Sequence, residues 1–252
     1  MSDTTTPGMD MPKGTFRKTP TRGLTTDEVR KICRGHAGKD RVDQLLCVME
    51  EELEHGFEFL EKHPKMITFL GSARTEKGDP YYEHARSLGY RIVDELGVPV
   101  ATGGGPGIME AGNKGAFEAG GESLGMTIEL PFEQSTNPFV NEEMDFHFFF
   151  TRKVIMFYAS YGFVFFPGGF GTLNEFFETV TLMQTHKMQP VPLILFGSEF
   201  WNPLQKAIVE SDLLKHEYID PGDANLLYVI TDSEDEVIEI LSRSFPKKHK
   251  NG

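Results

Sequence analysis

From residue 66 onward the chain alternates short apolar runs with longer segments of helical spacing. The runs are "MITFLG", "VPVATGGG", "SLGMTIEL", "GFVFFPGG", "VPLILFG" and "LLYVIT". Most of them end at Gly or Pro. Between them, "DPYYEHARSLGYRIVDELG" carries an Asp cap, a Pro at the first helical position and a closing Gly. "GIMEAGNKGAFEAGG" and "TLNEFFETVTLMQTHK" follow two of the runs directly. Continuous apolar strands alternating with helices predict a parallel sheet covered on both faces. The expected fold is therefore α/β, a Rossmann-like, doubly wound sheet. Such sheets bind ligands at the carboxyl ends of their strands, near the point where strand order reverses.

The first third reads differently. Residues 1–24 are rich in Thr, Pro, Gly and Lys and predict a flexible tail. Residues 27–35 fit a short helix. Residues 40–62 place Val42, Leu45, Leu46, Met49, Leu53, Phe57 and Leu60 at helical spacing. The expected organisation is a tail over 1–24, a helical extension over 25–64 and the main α/β domain over 65–245. Cys33 and Cys47 are 14 residues apart in what reads as one helical stretch, which forbids a disulfide and predicts two buried thiols.

Composition narrows the function. At 252 residues the chain suffices for one large α/β domain, and its net charge of −13 argues against nucleic acid or anionic membrane as a partner. No apolar run approaches membrane-spanning length, and the N-terminus lacks a signal-peptide core, so a cytoplasmic protein is expected. No Cys/His cluster has zinc spacing, and neither a metal nor a cofactor is expected.

An acidic protein that binds an anion needs a local device, and two glycine-rich strand-to-helix turns supply candidates. In "FFPGGFGTLNE", Gly168, Gly169 and Gly171 permit close backbone approach, and Thr172 reads as a helix cap. "TGGGPGIME" repeats the design with Gly104 and Gly105. Helix amides above a strand end suit a phosphate. The P-loop pattern is not met by "GIMEAGNKG", and the dinucleotide fingerprint fails in both turns, so kinase, ATPase and NAD readings lose their main support. In "TRKVIMFYASYG", Thr151 reads as a cap and places Arg152 and Lys153 in the first helical turn. Cations there oppose the helix dipole by about 0.3–1 kcal/mol each. Either Glu142, Glu143 and Asp145 just upstream compensate, or Arg152 faces an anionic ligand or a catalytic carboxylate. Glu110 and Glu175 also sit early in helices, where an acid is favourable without any catalytic role.

Together, "PGGFGTLNE", "TGGGPGIMEAGNKGA", "RKVIMF" and "QTHKMQPVPLILFG" resemble the Lonely Guy family, in its longer bacterial form, from about Ile67 to Leu241. The resemblance implies a phosphoribohydrolase that cuts the N-glycosidic bond of a nucleoside 5′-monophosphate, AMP or a cytokinin nucleotide. It implies Arg152 and Glu175 as the catalytic pair. Gly104, Gly105, Gly168, Gly169, Gly171 and Thr172 would form the phosphate and ribose cradle, with Glu110 and Lys153 at the substrate. A homodimer or larger homo-oligomer is implied, with the helix bearing Leu182 and Met183 as a candidate interface. The alternative from another class is a nucleotide-binding sensor or carrier without turnover. The chain departs from the shorter plant-type members in its N-terminal helices and its "FFFTRK" lead-in. The name "lysine decarboxylase" often attached to the family fits poorly, since that chemistry normally uses pyridoxal phosphate on a lysine and no lysine here is marked for it.

Overall fold

The computed structural model describes residues 26–36, 41–130, 135–220, 222 and 227–245. The tail expected over residues 1–24 lies outside the described residues.

Seven parallel strands form one sheet in the order β4-β3-β2-β1-β5-β6-β7. They are β1 (Met66–Leu70), β2 (Val100–Thr102), β3 (Ser123–Ile128), β4 (Glu142–Phe146), β5 (Ser160–Phe165), β6 (Leu193–Phe196) and β7 (Val229–Thr231). The helices are α1 (Thr26–His36), α2 (Arg41–Lys62), α3 (Pro80–Arg91), α4 (Ile108–Glu118), α5 (Phe149–Ala159), α6 (Phe170–Gln184), α7 (Ser198–Leu204) and α8 (Glu234–Ser242). Wider π-helical turns prolong α3 through Leu96 and α7 through Leu214. The predicted doubly wound α/β fold is present.

Strand alternation builds the two faces. Ile67, Phe69, Val164, Phe166, Ile194 and Phe196 face the layer made by α3, α4 and α8. Met66, Leu70, Phe163, Phe165, Leu193 and Leu195 face the layer containing α2, α5, α6 and Trp201 of α7. Every residue of β1 and β6 is buried, which is why these strands read as unbroken apolar runs.

β4 was not foreseen. Its sequence "EEMDF" exposes Glu142 and Glu143 and buries Met144 and Phe146. It is an edge strand, and acids on an edge discourage pairing with another chain. The acids upstream of Arg152 are therefore strand residues. Glu143 accepts from the Thr136 hydroxyl and Asp145 from the Thr127 hydroxyl.

The cysteines also correct the sequence reading. α1 ends at His36 and α2 begins at Arg41, so Cys33 and Cys47 lie on two helices, not one. Their Cα atoms are 5.7 Å apart and the sulfurs form a disulfide.

The tightest helix contact is between α3 and α4. A Cβ on Gly115 would sit 1.9 Å from the Arg86 carbonyl oxygen, and one on Gly89 would sit 2.4 Å from that of Gly112. Backbones can approach this closely only without side chains. Gly115→Ala must push α3 off α4 and is expected to cost about 1–3 kcal/mol, read from urea denaturation. A loss below 0.5 kcal/mol, within the range of about ±0.5 kcal/mol ordinary for surface substitutions, would show that the helices separate freely.

Candidate functional site

β1 lies between β2 and β5, and the chain winds outward from it in both directions. The two glycine turns, after β2 and after β5, therefore flank the end of β1. Ser72 joins them. Its amide donates to the Pro167 carbonyl and its own carbonyl accepts from the Ile108 amide, each at 3.0 Å.

The turns are not equivalent. α6 begins at Phe170, with Gly169 as N-cap and no side-chain cap. Thr172 is thus inside the first turn and does not cap, contrary to the sequence reading. Its side chain folds over Gly168, where a Cβ would lie 2.2 Å from Thr172 Oγ1. Among the described residues, and apart from their own chain neighbours and helix backbone, nothing lies within 4 Å of where a Cβ would stand on Gly169 or Gly171. The first amides of a helix have no intrahelical acceptor, so this end presents donors at an open surface. The start of α4 is more enclosed. The Ile108 amide is spent on Ser72, and a Cβ on Gly107 would meet the Ser72 carbonyl at 2.3 Å. There Gly103, Gly104 and Gly105, with Thr127, Ile128, Ser135 and Thr136, line a small open cleft.

Asn137, which sequence inspection did not single out, holds that glycine turn from beneath. Its amide and Nδ2 donate to the Gly104 carbonyl at 2.8 and 3.0 Å, and Nδ2 also lies 3.1 Å from the Gly105 carbonyl. Asn113 continues the buried network to Thr102, Ser123 and Asn137. The Thr102 hydroxyl accepts from the Gly104 amide at 2.9 Å.

Arg152 spans the gap between the two turns. A Cβ on Gly103 would lie 2.7 Å from Arg152 Nη2, so the guanidinium rests directly on the first turn. On its other side Nη2 is 3.9 Å from Glu175 Oε1 of α6. The Arg152 and Glu175 side chains are only 8% and 14% exposed, so water screens this pair little. Arg152 Nε is buried without a hydrogen-bond partner among the described residues. Burial lowers the arginine's pKa, against the attraction of Glu175, yet a guanidinium stays protonated. Burial also raises the Glu175 pKa above the ordinary carboxylate range, with Arg152 and then Lys153 opposing. The pair is desolvated, and the separation exceeds a hydrogen bond. It has unused capacity to bond a polar ligand.

The other foreseen residues divide. Lys153 donates to Glu178 and Asn174 of α6, beside Glu175. Glu110 turns elsewhere. Its Oε1 accepts from the Tyr82 hydroxyl at 2.9 Å and pairs with Lys77 at 2.7 Å, tying α4 to α3 and to the loop after β1. Thr151 is not the cap of α5. The helix starts two residues earlier, and Phe148 is the N-cap, with no side-chain bond.

A family model described as "possible lysine decarboxylase" matches residues 109–241, more than half of the chain. The chain belongs to this family, the Lonely Guy family. Among its relatives is a cytokinin riboside 5′-monophosphate phosphoribohydrolase of Rhodococcoides fascians, 25% identical over 71% of this chain and 90% of that protein. A pyrimidine/purine nucleotide 5′-monophosphate nucleosidase of Escherichia coli K12 is 26% identical over 75% of this chain and 42% of that longer protein. The rice protein named cytokinin riboside 5′-monophosphate phosphoribohydrolase LOG is 28% identical over 73% of this chain and 74% of its own length. In fold, the chain resembles a molybdenum cofactor binding protein from Rippkaea orientalis, with a TM-score of 0.51 and 21% identity over 71% of this chain and 97% of that one.

Asn137→Ala removes the Nδ2 donor to the Gly104 and Gly105 carbonyls and leaves only the backbone amide on Gly104. The expected cost is about 1–3 kcal/mol, with faster amide hydrogen exchange at Gly103–Gly105. Unchanged exchange there would mean that the turn keeps its shape unaided.

Proposed function

We propose that this chain is a nucleoside 5′-monophosphate phosphoribohydrolase, which adds water across the C1′–N bond to yield a free base and ribose 5-phosphate. The observation that carries the reading is the buried Arg152–Glu175 pair, set between two glycine turns and beside the uncapped start of α6. The names of the relatives support the same chemistry.

In this reading the 5′-phosphate sits on the amides of Phe170, Gly171 and Thr172, next to Gly168 and Gly169. Gly104 and Gly105 line the cleft for the rest of the nucleotide. As the C1′–N bond breaks, its electron pair leaves with the base and positive charge grows on the ribose, as in glycoside hydrolysis. The Glu175 carboxylate stabilises that charge, holds ribose hydroxyls and aligns the attacking water. The water oxygen bonds to C1′ and the two protons of water are shared out, one to the new hydroxyl and one to the departing base. Arg152 fixes Glu175 and bonds the ligand, and Lys153 supports Glu175 from the side.

A homodimer and a cytoplasmic location belong to the same proposal. Phe150, Val154 and Tyr158, four residues apart on α5, are 48%, 46% and 50% exposed, and Phe170 is 93% exposed. They support an interface better than Met183, which lies in the chain's own core with Leu182 packed against it. No helix among the described residues is long and apolar enough to cross a membrane. In a reducing cytoplasm the Cys33–Cys47 bond is expected to stand open. Light scattering at micromolar concentration should give the mass of a dimer or more, and a monomer mass would remove the interface.

If a phosphate cradle operates, AMP is cleaved and adenosine is nearly inert. Equal turnover of the two would remove the cradle. Glu175→Gln keeps the shape and deletes the charge. Its kcat should fall by about 10²-fold or more, which is about 2.7 kcal/mol of lost transition-state stabilisation. Nucleotide affinity should persist. A near-normal kcat in the folded variant would leave the non-catalytic nucleotide sensor or carrier as the better reading.

The pH dependence follows from burial. Glu175 acts ionised, so activity is lost as pH falls through its folded pKa, which burial raises. The acid limb of kcat should therefore lie above the ordinary glutamate value of about 4.3. A limb at or below that value would dissociate Glu175 from the chemistry.

A further inference from the structure

We propose that Glu52, on the N-terminal helix α2, is a positioning residue that caps α5 from outside and thereby aims Arg152 at Glu175. This rests on the hydrolase reading for its catalytic consequence, though not for its geometry.

α5 starts badly by its own sequence. Phe148 at the N-cap has no oxygen to offer, no acid occupies the first turn, and Arg152 and Lys153 lie just beyond it. The positive end of the helix dipole is left without local compensation. Glu52 supplies it across a gap of about a hundred residues. It is 1% exposed. Oε1 accepts from the His147 amide at 2.6 Å, and Oε2 accepts from the Phe148 amide at 3.4 Å. The Thr151 hydroxyl lies 2.5 Å from Oε2 and 2.9 Å from the Phe148 carbonyl. It has one proton to give, and the shorter, charged acceptor takes it. A buried carboxylate is costly unless it is bonded in this way.

The chain of contacts runs straight to the site. The Phe148 carbonyl, whose residue lies between the His147 amide and the Thr151 hydroxyl that Glu52 holds, accepts from the Arg152 amide at 3.2 Å. Beyond its backbone, Arg152 rests on Gly103 but is not fixed by a close side-chain hydrogen bond among the described residues. Nη2 is 3.9 Å from Glu175, and Nε has no partner among the described residues. The guanidinium therefore stands where the start of α5 puts it, and Glu52 sets that start. α2 is thus part of the site's scaffold, and its charge is matched to the cations that follow the α5 terminus.

The test reads the Glu175 carboxyl by ¹³C NMR titration, assigned with Glu175→Gln, and needs no turnover. Charged groups facing it are Arg152 and Lys153 from α5 and Glu178 from its own helix. In Glu52→Gln, Arg152 should draw away and the Glu175 pKa should rise by about one unit. Thr151→Val, which deletes one donor to Glu52, should shift it the same way by less, and it serves should Glu52→Gln not fold. Leu53→Ala, which loosens α2 packing without touching the cap, should leave it in place. With AMP, kcat of Glu52→Gln should drop about tenfold or more, while the Kd for ribose 5-phosphate changes less than about threefold. A Glu175 titration in folded Glu52→Gln or Thr151→Val that matches the parent would overturn the proposal. So would an equal shift in Leu53→Ala. A parent protein inert toward every nucleotide would overturn the hydrolase reading alone, and the titration would still decide the role of Glu52.

Discussion

A guanidinium removed from water constrains everything around it. Arg152 cannot shed its proton, so its neighbours must accept a permanent positive charge where solvent helps little. Three features answer that demand. Glu175 provides the countercharge. Gly103 provides room, since any side chain there would collide with Nη2. Glu52, as proposed, compensates the bare helix start from which Arg152 rises, by bonding the His147 amide and the Thr151 hydroxyl. None of the three makes sense singly. A glycine without the arginine would be merely a turn, and a buried glutamate without the bare α5 terminus would be a liability.

Strand order is what lets these pieces meet. Because β1 is flanked by β2 and β5, the loops following all three strands converge at one end of the sheet. Ser72, just past β1, then uses both backbone groups to bind the flanking turns together. α5 enters the same place because it follows β4 and must run back to begin β5, which puts its N-terminal residues at the carboxyl end of the sheet. The site is thus a consequence of winding outward from one central strand, as expected for a doubly wound fold.

What the sequence displayed was local. β1, β2, β3, β5 and β6 are apolar runs stopped by turn residues, and their covering helices show regular spacing. β4 escaped notice because an edge strand alternates, and its exposed acids resembled a loop. The pairing of Cys33 with Cys47 was hidden by treating α1 and α2 as one straight helix. Arg152 and Glu175 stood out through the motifs around them, and the structure brings them within 3.9 Å. Glu52 and Asn137 gave no sign. Each acts on backbone groups far away in sequence, His147 and Phe148 for one and Gly104 and Gly105 for the other. A polar residue in a helical pattern or a loop looks the same whether it faces water or a distant amide. Only the tertiary fold tells them apart.

Under the proposed chemistry, two kinds of charge in the site would let a chain of net charge −13 receive an anion. Exposed lysines or arginines would be screened by salt and opposed by the surrounding acids. Backbone amides at the start of α6 carry no net charge and cannot be neutralised by a neighbouring carboxylate forming an ion pair with them. They direct partial positive charge at one spot, and Gly169 and Gly171 leave that spot open. The formal charges, Arg152 and Glu175, are 8% and 14% exposed, a drier setting in which the low dielectric would strengthen their interaction with a ligand. Under the proposed chemistry this division of roles matters. A phosphate held by neutral dipoles leaves the Glu175 carboxylate free to answer charge that develops on the ribose, whereas a phosphate held by Arg152 alone would compete with Glu175 for the same cation.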